Sequence, residues 1–178
     1  MDLAGGGGLL ALLTVYADGK AEGPFLPDFG GFMPIRANQH QATDVLSTVG
    51  EGDGETRETA LPVDVATDAA DRFEFFAALT VGGYDCLGFT PGNGGPTETW
   101  LTQPTGSWVC HTTDPAGKHT ARQGGPARLW DAIETAHVEW QHLGQPARER
   151  FGLTVQHGRH TVWLDDPSGT HRWSLKGI

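Results

Sequence analysis

The sequence GPARLWDAIETAHVEWQHLGQPARERFGLTVQHGRHTVWLDD, residues 125–166, contains the two clearest structural signals of the chain. Its first half has apolar side chains at spacings of three and four, which predicts an amphipathic helix over 126–143. A Gly-Gln-Pro break at 144–146 ends this helix, because glycine leaves the helical conformation easily and proline cannot continue it. The second half predicts a hairpin of strands 151–156 and 160–164. A helix followed by a hairpin indicates an α+β domain.

The residues upstream of this stretch predict an antiparallel meander over 84–123 and a second helix over 68–80. Turn sequences rich in Pro, Gly, Asn and Asp divide the meander into short strands. The predicted strands cover 84–89, 97–102, 107–112 and 118–122. A further short strand is predicted over 60–66, and another over 170–175. The chain is therefore predicted to be α+β, an antiparallel sheet or meander with two helices on one face.

A separate β-hairpin is predicted at the N-terminal end of the chain. The apolar run LLALLTVY, residues 9–16, precedes an Asp-Gly turn and a return segment over 21–36. Because the run does not alternate between apolar and polar residues, it predicts a strand buried on both faces. The polar segment 37–59 contains GEGDGETRET and is typical of a linker. The predicted organisation is a terminal hairpin over 1–36, a linker or loop over 37–59 and an α+β accessory domain over 60–178.

The charge and composition disfavour nucleic acid and membrane partners. The chain has 22 acidic and 12 basic residues, a net charge of −10, whereas phosphate backbones are bound by clustered Lys and Arg. No apolar run reaches the roughly 18 residues that a membrane-spanning helix needs. Residues 1–4 lack the basic start of a secretory signal. Cys86 and Cys110 are expected to be buried, reduced thiols, with one disulfide as the alternative. These observations predict a cytoplasmic protein.

The sequence contains none of the common catalytic or cofactor motifs. Four glycines at 5–8 do not predict a cofactor loop, because such a loop follows a buried strand and opens a helix. Cys110 and His111 do not predict a nucleophile pair, because neighbouring residues of a strand point to opposite faces. We therefore expect no catalytic and no cofactor-binding residue in this chain.

Three histidines near the C-terminal hairpin leave a metal site open as an alternative. His157, His160 and His171 lie close to Asp165 and Asp166 in the sequence, and three nitrogen or oxygen ligands can hold zinc. None of these histidines forms an H-x-H or H-x-x-x-H pair on a well-defined element, so exposed turn histidines without a metal are expected instead. A hydrolase that uses this cluster is the corresponding functional alternative.

Two parts of the chain resemble one family of methyltransferases. At the C-terminal end, the patterns LWDAIE (129–134), RFGLTV (150–155) and VWLD (162–165) resemble the C-terminal extension of actinobacterial protein-L-isoaspartate O-methyltransferase-like enzymes. The resemblance is to members associated with ribosomal peptide maturation, of the ATP-grasp peptide or lanthipeptide type. At the N-terminal end, LLALLTV (9–15) and GFMPIR (31–36) are similar to the closing pair of strands of that family's sheet, whose last strand carries a Phe-Val-Pro-Leu-like segment.

The resemblance implies a function that this chain performs only with a partner. The family transfers a methyl group from S-adenosylmethionine to an aspartyl or isoaspartyl carboxylate. Its cofactor loop, an acidic residue followed by Gly-x-Gly-x-Gly, has no counterpart in this sequence. The resemblance therefore implies a substrate-recognition part that is inactive alone and acts on a precursor peptide or protein. A separately encoded methyltransferase core would supply the S-adenosylmethionine site. The alternative is a stand-alone α+β binding protein without enzymatic activity.

The residues expected to contact a substrate or partner lie on the predicted helix and hairpin. They are Trp130, His137, Trp140, Arg148, Arg150, Trp163, Asp165 and Asp166. The aromatic residues of the helix are alternatively core, and the two aspartates a turn. The arginines, together with Arg159, are alternatively a solvated face or a surface that meets an acidic peptide. An accessory domain predicts an unpaired edge or exposed apolar side chains in 9–36, whereas a self-contained protein predicts that this segment packs against the meander.

Overall fold

The computed structural model describes residues 8–30, 54–67, 72–90 and 95–175 of the 178-residue chain. In these ranges the chain forms eleven strands in two antiparallel sheets and three α-helices, which confirms the predicted α+β class. The strands are β1 (Gly8–Ala11), β2 (Thr14–Val15), β3 (Ala21–Gly30), β4 (Glu55–Thr59), β5 (Asp85–Phe89), β6 (Thr97–Thr102), β7 (Trp108–Thr113), β8 (His119–Gly124), β9 (Phe151–Gln156), β10 (Arg159–Leu164) and β11 (Arg172–Leu175). The helices are α1 (Asp64–Thr67), α2 (Arg72–Val81) and α3 (Leu129–His142), and one turn of 3-10 helix covers Arg148–Arg150.

The strands form two sheets rather than the single predicted sheet. The terminal sheet has the order β1-β3-β9-β10-β11, with β2 also paired to β3. The meander sheet has the order β4-β8-β7-β6-β5. The predicted meander and C-terminal hairpin are both confirmed, with small shifts at the strand ends. The sheets separate because β3, near the N-terminus, pairs with β9 of the C-terminal hairpin and not with the meander.

Two segments differ from their predicted structure. Residues Glu55–Thr59, assigned to the linker by their polarity, form β4, because they pair with β8 and their polar side chains bond to α3. The predicted strand over 60–66 is instead a bend that leads into α1, where the amide of Ala66 donates to the carbonyl of Val63. The remaining residues of the predicted linker, 37–53, lie outside the described ranges.

The N-terminal hairpin is formed. The apolar run predicts a first strand buried on both faces, and this prediction is wrong. Gly19 has a φ of +80° in the turn, which suits the Asp-Gly sequence. Leu12 and Val15 are 67% and 75% exposed, because β1 and β2 lie at an edge of the described terminal sheet. The backbone between them passes over Gly23, where a Cβ atom would lie 1.8 Å from the carbonyl oxygen of Leu12. The GFMPIR segment over 31–36 lies outside the described residues.

One continuous core joins the two sheets through the helices. Helix α2 is buried on all sides, and Phe73, Phe75 and Phe76 are fully buried. Phe75 packs edge-on against Phe25 of β3 and Phe151 of β9, with ring centroids 5.4 and 4.9 Å apart. Helix α3 packs against α2 and against strands β7 and β8 of the meander sheet. The N-terminal hairpin therefore shares its core with the rest of the described chain.

Candidate functional site

The aromatic stripe of α3 faces the interior of the protein. Trp130 is fully buried, and its indole nitrogen donates to the hydroxyl of Thr59 over 3.0 Å. Trp140 is 7% exposed, and its indole nitrogen donates to the carbonyl of Pro146 over 3.2 Å. His137 is partly buried and packs edge-on against an aromatic ring of α2, with centroids 4.9 Å apart. These three side chains therefore belong to the core and its border.

The side chain of Arg148 links the 3-10 turn to the N-terminal hairpin by a hydrogen bond. Its side chain is buried, and Nη1 donates to the carbonyl of Pro27 over 3.2 Å. Burial lowers the pKa of Arg148, while the charge of buried Glu74 acts in the opposite direction. The contact with Pro27 lies just beyond Pro24, the last residue of β3 that pairs with β9.

Arg150 and the two aspartates form a closed turn after β10. The guanidinium of Arg150 donates two hydrogen bonds to Asp165, of 2.8 and 2.7 Å, and these bonds lower the pKa of Asp165. The backbone of Asp165 has a φ of +62°, and its amide donates to the carbonyl of Arg150. Asp166 accepts hydrogen bonds of 2.7 Å from the amide and the hydroxyl of Ser168. The predicted turn is thus built from these aspartates.

Trp163 lies on the face of the terminal sheet that points away from the helices, called the outer face below. Its ring covers Gly152, its cross-strand partner, where a Cβ atom would lie 2.1 Å from the ring. Its indole nitrogen donates to Thr154 over 3.1 Å. Thr154 in turn donates to the carboxylate of Glu22 over 2.7 Å, and Lys20 pairs with that carboxylate. A chain of polar contacts therefore runs across β3, β9 and β10.

The turn between β9 and β10 places Arg159 on the same outer face. His157 and Gly158 have φ values of +50° and +72°, which is typical of the two-residue turns that match the twist of a hairpin. Arg159 is therefore the first residue of β10 and pairs with Gln156. The predicted strand bounds place it in the turn instead. Alternation along β10 then brings Arg159 to the face that carries Trp163, four residues further on.

A polar pocket of about 500 Å³ lies on the outer face. We call it the outer pocket; its lining residues are Thr154, Gln156, His157, Arg159, Thr161 and Arg172. Three strands contribute to it, because β9, β10 and β11 are neighbours in the terminal sheet. Among the described residues, its lining contains two guanidinium groups and no carboxylate, so it is suited to an anion rather than to a cation.

The two arginines of the outer pocket differ from most other basic side chains of the protein. Within the described residues, neither Arg159 nor Arg172 makes a side-chain hydrogen bond or an ion pair, and both are exposed. Five other basic side chains pair with carboxylates: Lys20, Arg57, Lys118, Arg128 and Arg150. Arg122 instead stacks on two tryptophan rings of the meander sheet. Two arginines without a partner among the described residues therefore line one pocket of an acidic protein.

A second polar cluster joins α3 to β4 and has its charges compensated internally. Arg57 of β4 bonds to Asp131 and Glu134 of α3, with Nη2 at 2.6 Å from each carboxylate. Gln123 of β8 also donates to Asp131, over 2.6 Å. Burial tends to raise the pKa of Asp131, but the hydrogen bonds outweigh it and lower the pKa to about 2. Because every charge has a partner, this cluster is a structural link between helix and sheet.

The histidines near the C-terminal hairpin are not assembled into a metal site. Among residues 8–30, 54–67, 72–90 and 95–175, no three His, Cys, Asp or Glu side chains are grouped as metal ligands. His157 lies in the β9–β10 turn, whereas His171 stacks on Trp173, with centroids 6.5 Å apart. His160 pairs with Val155 and Leu175, on the opposite face from Arg159.

The two cysteines are free thiols, and they differ in exposure. Cys110 is buried, as predicted, whereas Cys86 is exposed because β5 is the edge strand of the described meander sheet. No disulfide joins them. Within the described part of the chain, no helix has the length and apolar character needed to cross a membrane.

Similarity to known proteins gives no assignment for these features. Comparisons of the chain with protein families, with curated proteins and with solved structures found no match. The class of the protein is therefore defined by its own geometry. Its described residues form an α+β structure with two antiparallel sheets, exposed apolar side chains at one edge of the terminal sheet and a basic pocket on the outer face of that sheet.

Proposed function

We propose that the chain is the substrate-recognition part of an S-adenosylmethionine-dependent protein or peptide carboxyl methyltransferase of the isoaspartyl type. It has no methyltransferase activity alone and acts in the cytoplasm with a separately encoded catalytic core, on a precursor peptide or protein. The resemblance of both ends of the sequence to that family suggests this function. The observation that carries the proposal is the exposed apolar edge of the terminal sheet.

The segment from Leu12 to Tyr16, which contains β2 at the border of the described terminal sheet, exposes three large apolar side chains. Leu12, Val15 and Tyr16 are 67%, 75% and 47% exposed. Among the described residues, only Phe89 and Val138 are other large hydrophobic residues with comparable exposure. An exposed apolar strand at a sheet edge is a template for pairing, and soluble proteins normally protect such edges with charge or with a covering element. This edge is therefore suited to a protein partner.

The terminal sheet connects this edge directly to the outer pocket. Strand β3 pairs with β1 and β2 on one side and, through Ala21–Pro24, with β9 on the other. Strand β9 carries Thr154 and Gln156, which line the outer pocket. A catalytic core docked at the edge would therefore share one continuous sheet with the recognition surface. This arrangement would hold a bound substrate at a fixed position relative to the core.

A stand-alone α+β binding protein remains the second candidate, and one observation favours it. Phe25 of the hairpin is 5% exposed and belongs to the same core as the helices and both sheets. The described chain thus buries its own hairpin without a partner. In this alternative, the outer pocket binds its ligand and no catalytic core attaches to the edge.

Binding to the cofactor and to a catalytic core separates the two candidates. The purified chain is titrated with S-adenosylmethionine by calorimetry, and then mixed with the polypeptide encoded immediately upstream. We expect no heat with the cofactor, a stable complex with the upstream polypeptide, and methyl transfer from labelled cofactor to an acidic peptide only in the complex. Micromolar cofactor binding by the chain alone would contradict a recognition part, and absence of any complex would favour the stand-alone alternative.

Paired variants test the role of the edge. The double variant Leu12→Lys, Val15→Lys places charge on two exposed edge positions and is expected to weaken the complex by at least about tenfold, because lysines disfavour pairing at a sheet edge. The control Val138→Lys introduces the same side chain at a 50% exposed position of α3. Equal complex formation by both variants would exclude the edge as the docking surface.

A further inference from the structure

The outer pocket contains positive charge that no carboxylate among the described residues compensates. Arg159 and Arg172 both line it, and neither has a partner among the described residues. An unpaired pair of arginines beside hydroxyl and amide groups is a typical carboxylate site, because the planar guanidinium donates two parallel hydrogen bonds to a carboxylate. We propose that the outer pocket binds the carboxylate side chains of an acidic peptide.

The register of the strands places the two arginines at opposite ends of the pocket. Arg172 pairs with Trp163, which is four residues from Arg159 along β10. Four residues of a strand span about 13 Å, and both arginines lie on the outer face. Thr161 lies between them and pairs with Thr154. An extended peptide carries same-face side chains about 7 Å apart, so two alternate acidic residues fit between the guanidiniums.

The border of the pocket at Thr154 adjoins a carboxylate whose charge is compensated by Lys20. Thr154, which lines the pocket, donates to the carboxylate of Glu22 over 2.7 Å. Burial tends to raise the pKa of Glu22, but the hydrogen bonds with Lys20 and Thr154 outweigh it and lower the pKa. Because Lys20 compensates Glu22, the unpaired charges that a peptide carboxylate meets in the pocket are those of Arg159 and Arg172.

The net charge of the chain favours a short acidic peptide over a long polyanion. A charge of −10 opposes binding of nucleic acid, whose affinity depends on many phosphate contacts. A peptide with one or two carboxylates needs only the local charge of the pocket. The biological role of this site rests on the proposed function. The two agree, because a peptide whose carboxylate is methylated is itself acidic.

Blocked peptides test the site on the full chain without a catalytic partner. Calorimetric titrations use Ac-Gly-Gly-Asp-Gly-Asp-Gly-Gly-NH2 and the matched peptide with Asn in place of both Asp residues. We expect binding of the Asp peptide that is at least about tenfold tighter than that of the Asn peptide, because charge-assisted hydrogen bonds are lost with the carboxylates. Equal affinity of the two peptides, or no binding of the Asp peptide up to millimolar concentration, would overturn the proposal.

Charge-removing variants locate the site. Arg159→Gln and Arg172→Gln are exposed and are each expected to weaken Asp-peptide binding about fivefold to tenfold. Lys118→Gln removes the same charge from the meander sheet and is expected to leave the affinity within about twofold. If all three variants weaken binding equally, the effect comes from net charge and the assignment to the pocket is wrong. If a phosphoserine peptide binds more than tenfold tighter than the Asp peptide, the pocket is a phosphate site instead.

Failure of this site and failure of the proposed function give different results. If Asp-peptide binding requires both arginines but no complex forms with the upstream polypeptide, the carboxylate site stands and the methyltransferase assignment fails. If the complex transfers methyl groups but the Asp and Asn peptides bind the chain equally, the assignment stands and the carboxylate site is wrong.

Discussion

Gly152 shows how a missing side chain shapes the outer face. The ring of Trp163 occupies the space where a Cβ atom would lie, at 2.1, 2.2 and 2.6 Å from three ring atoms. Gly152→Ala therefore forces the indole to move and breaks its hydrogen bond to Thr154. We expect the free energy of unfolding to fall by about 1–3 kcal/mol, as overpacking does in well-packed sites. Urea denaturation followed by tryptophan fluorescence measures the change.

A second glycine provides the control for this substitution. Gly88 lies in β5, and a Cβ atom there has no neighbour within 4 Å. Gly88→Ala is expected to be neutral or to stabilise slightly, by about 0.5 kcal/mol, because alanine loses less backbone entropy on folding. If Gly152→Ala has the same small effect as Gly88→Ala, the indole does not rest on the backbone at Gly152.

Asp131 gives the protein a defined sensitivity to acid. Its hydrogen bonds outweigh burial and lower its pKa from an ordinary 3.8 to about 2. The carboxylate is charged in both states above about pH 5, so its contribution is complete there and is lost as the pH falls from about 5 toward 2. We expect a contribution of about 1 kcal/mol, less than the full shift implies, because the side chain is 39% exposed and solvent screens it.

The measurement is the free energy of unfolding between pH 7 and pH 2 for the wild type and for Asp131→Asn. The variant is expected to be less stable at pH 7 and to lose less stability below pH 4. Asp85→Asn, at an exposed position of β5, serves as the control and should follow the wild-type curve. Parallel curves for wild type and Asp131→Asn would show that Asp131 does not cause the pH dependence of the free energy of unfolding.

At the scale of elements, the N-terminal end of helix α3 is capped by a side chain of strand β8 and not by its own N-cap residue. Arg128, at its N-cap position, makes no capping hydrogen bond with its side chain. The side-chain oxygen of Gln123 on β8 instead accepts from the amide of Trp130 over 2.8 Å, and its nitrogen donates to Asp131. Gln123→Ala leaves buried helix amides without an acceptor, so we expect a loss of about 1–2 kcal/mol in unfolding free energy.

The matched control for the cap is Gln141→Ala, at an exposed position near the end of the same helix. It is expected to stay within about 0.5 kcal/mol of the wild type, as surface substitutions usually do. Thermal and urea unfolding of both variants provide the comparison. Equal stability of the two variants would mean that solvent replaces the Gln123 cap at no cost.

The sequence predicts those elements that have strong local signals. The meander strands and the C-terminal hairpin agree with their predictions, because Pro, Gly and Asp turns mark the ends of each strand. Strand β4 is missed because Glu55–Thr59 is polar throughout and is stabilised by pairing with β8. The second sheet is missed because the pairing of β3 with β9 joins segments far apart in sequence, which local periodicity does not report.

The outer pocket is predictable only in part. Arg159 is identified in the sequence as a residue that can meet an acidic peptide, but Arg172 is not. Counting alternate residues back from Trp163 places Arg159 and Thr161 on one face of β10. The contribution of Arg172 depends on the register between β10 and β11, and the sequence between the strands does not fix that register.

At the scale of the whole molecule, the single core predicts cooperative unfolding. Phe25 of the N-terminal hairpin packs on Phe75 of α2, which also contacts the C-terminal strands. Phe25→Ala is expected to lower the free energy of unfolding by about 3–5 kcal/mol and to shift one common transition. Far-ultraviolet circular dichroism and tryptophan fluorescence should therefore give superimposable curves for this variant.

Leu12→Ala removes a 67% exposed side chain from the same hairpin and is the control for Phe25→Ala. Its effect on stability is expected to stay within about 0.5 kcal/mol. If Phe25→Ala instead produces two separate transitions, the hairpin folds as an independent unit and the core is not continuous through α2.

The hydrogen bond between Glu22 and Thr154 joins residues 132 positions apart and has a consequence for synthesis on the ribosome. Strand β3 is made early, but its partner β9 follows only after most of the chain has been translated. At about 5–20 residues per second, the nascent β3 waits on the order of 10 s for its partner strand β9. The terminal sheet therefore closes only after the strands of the meander sheet have been made.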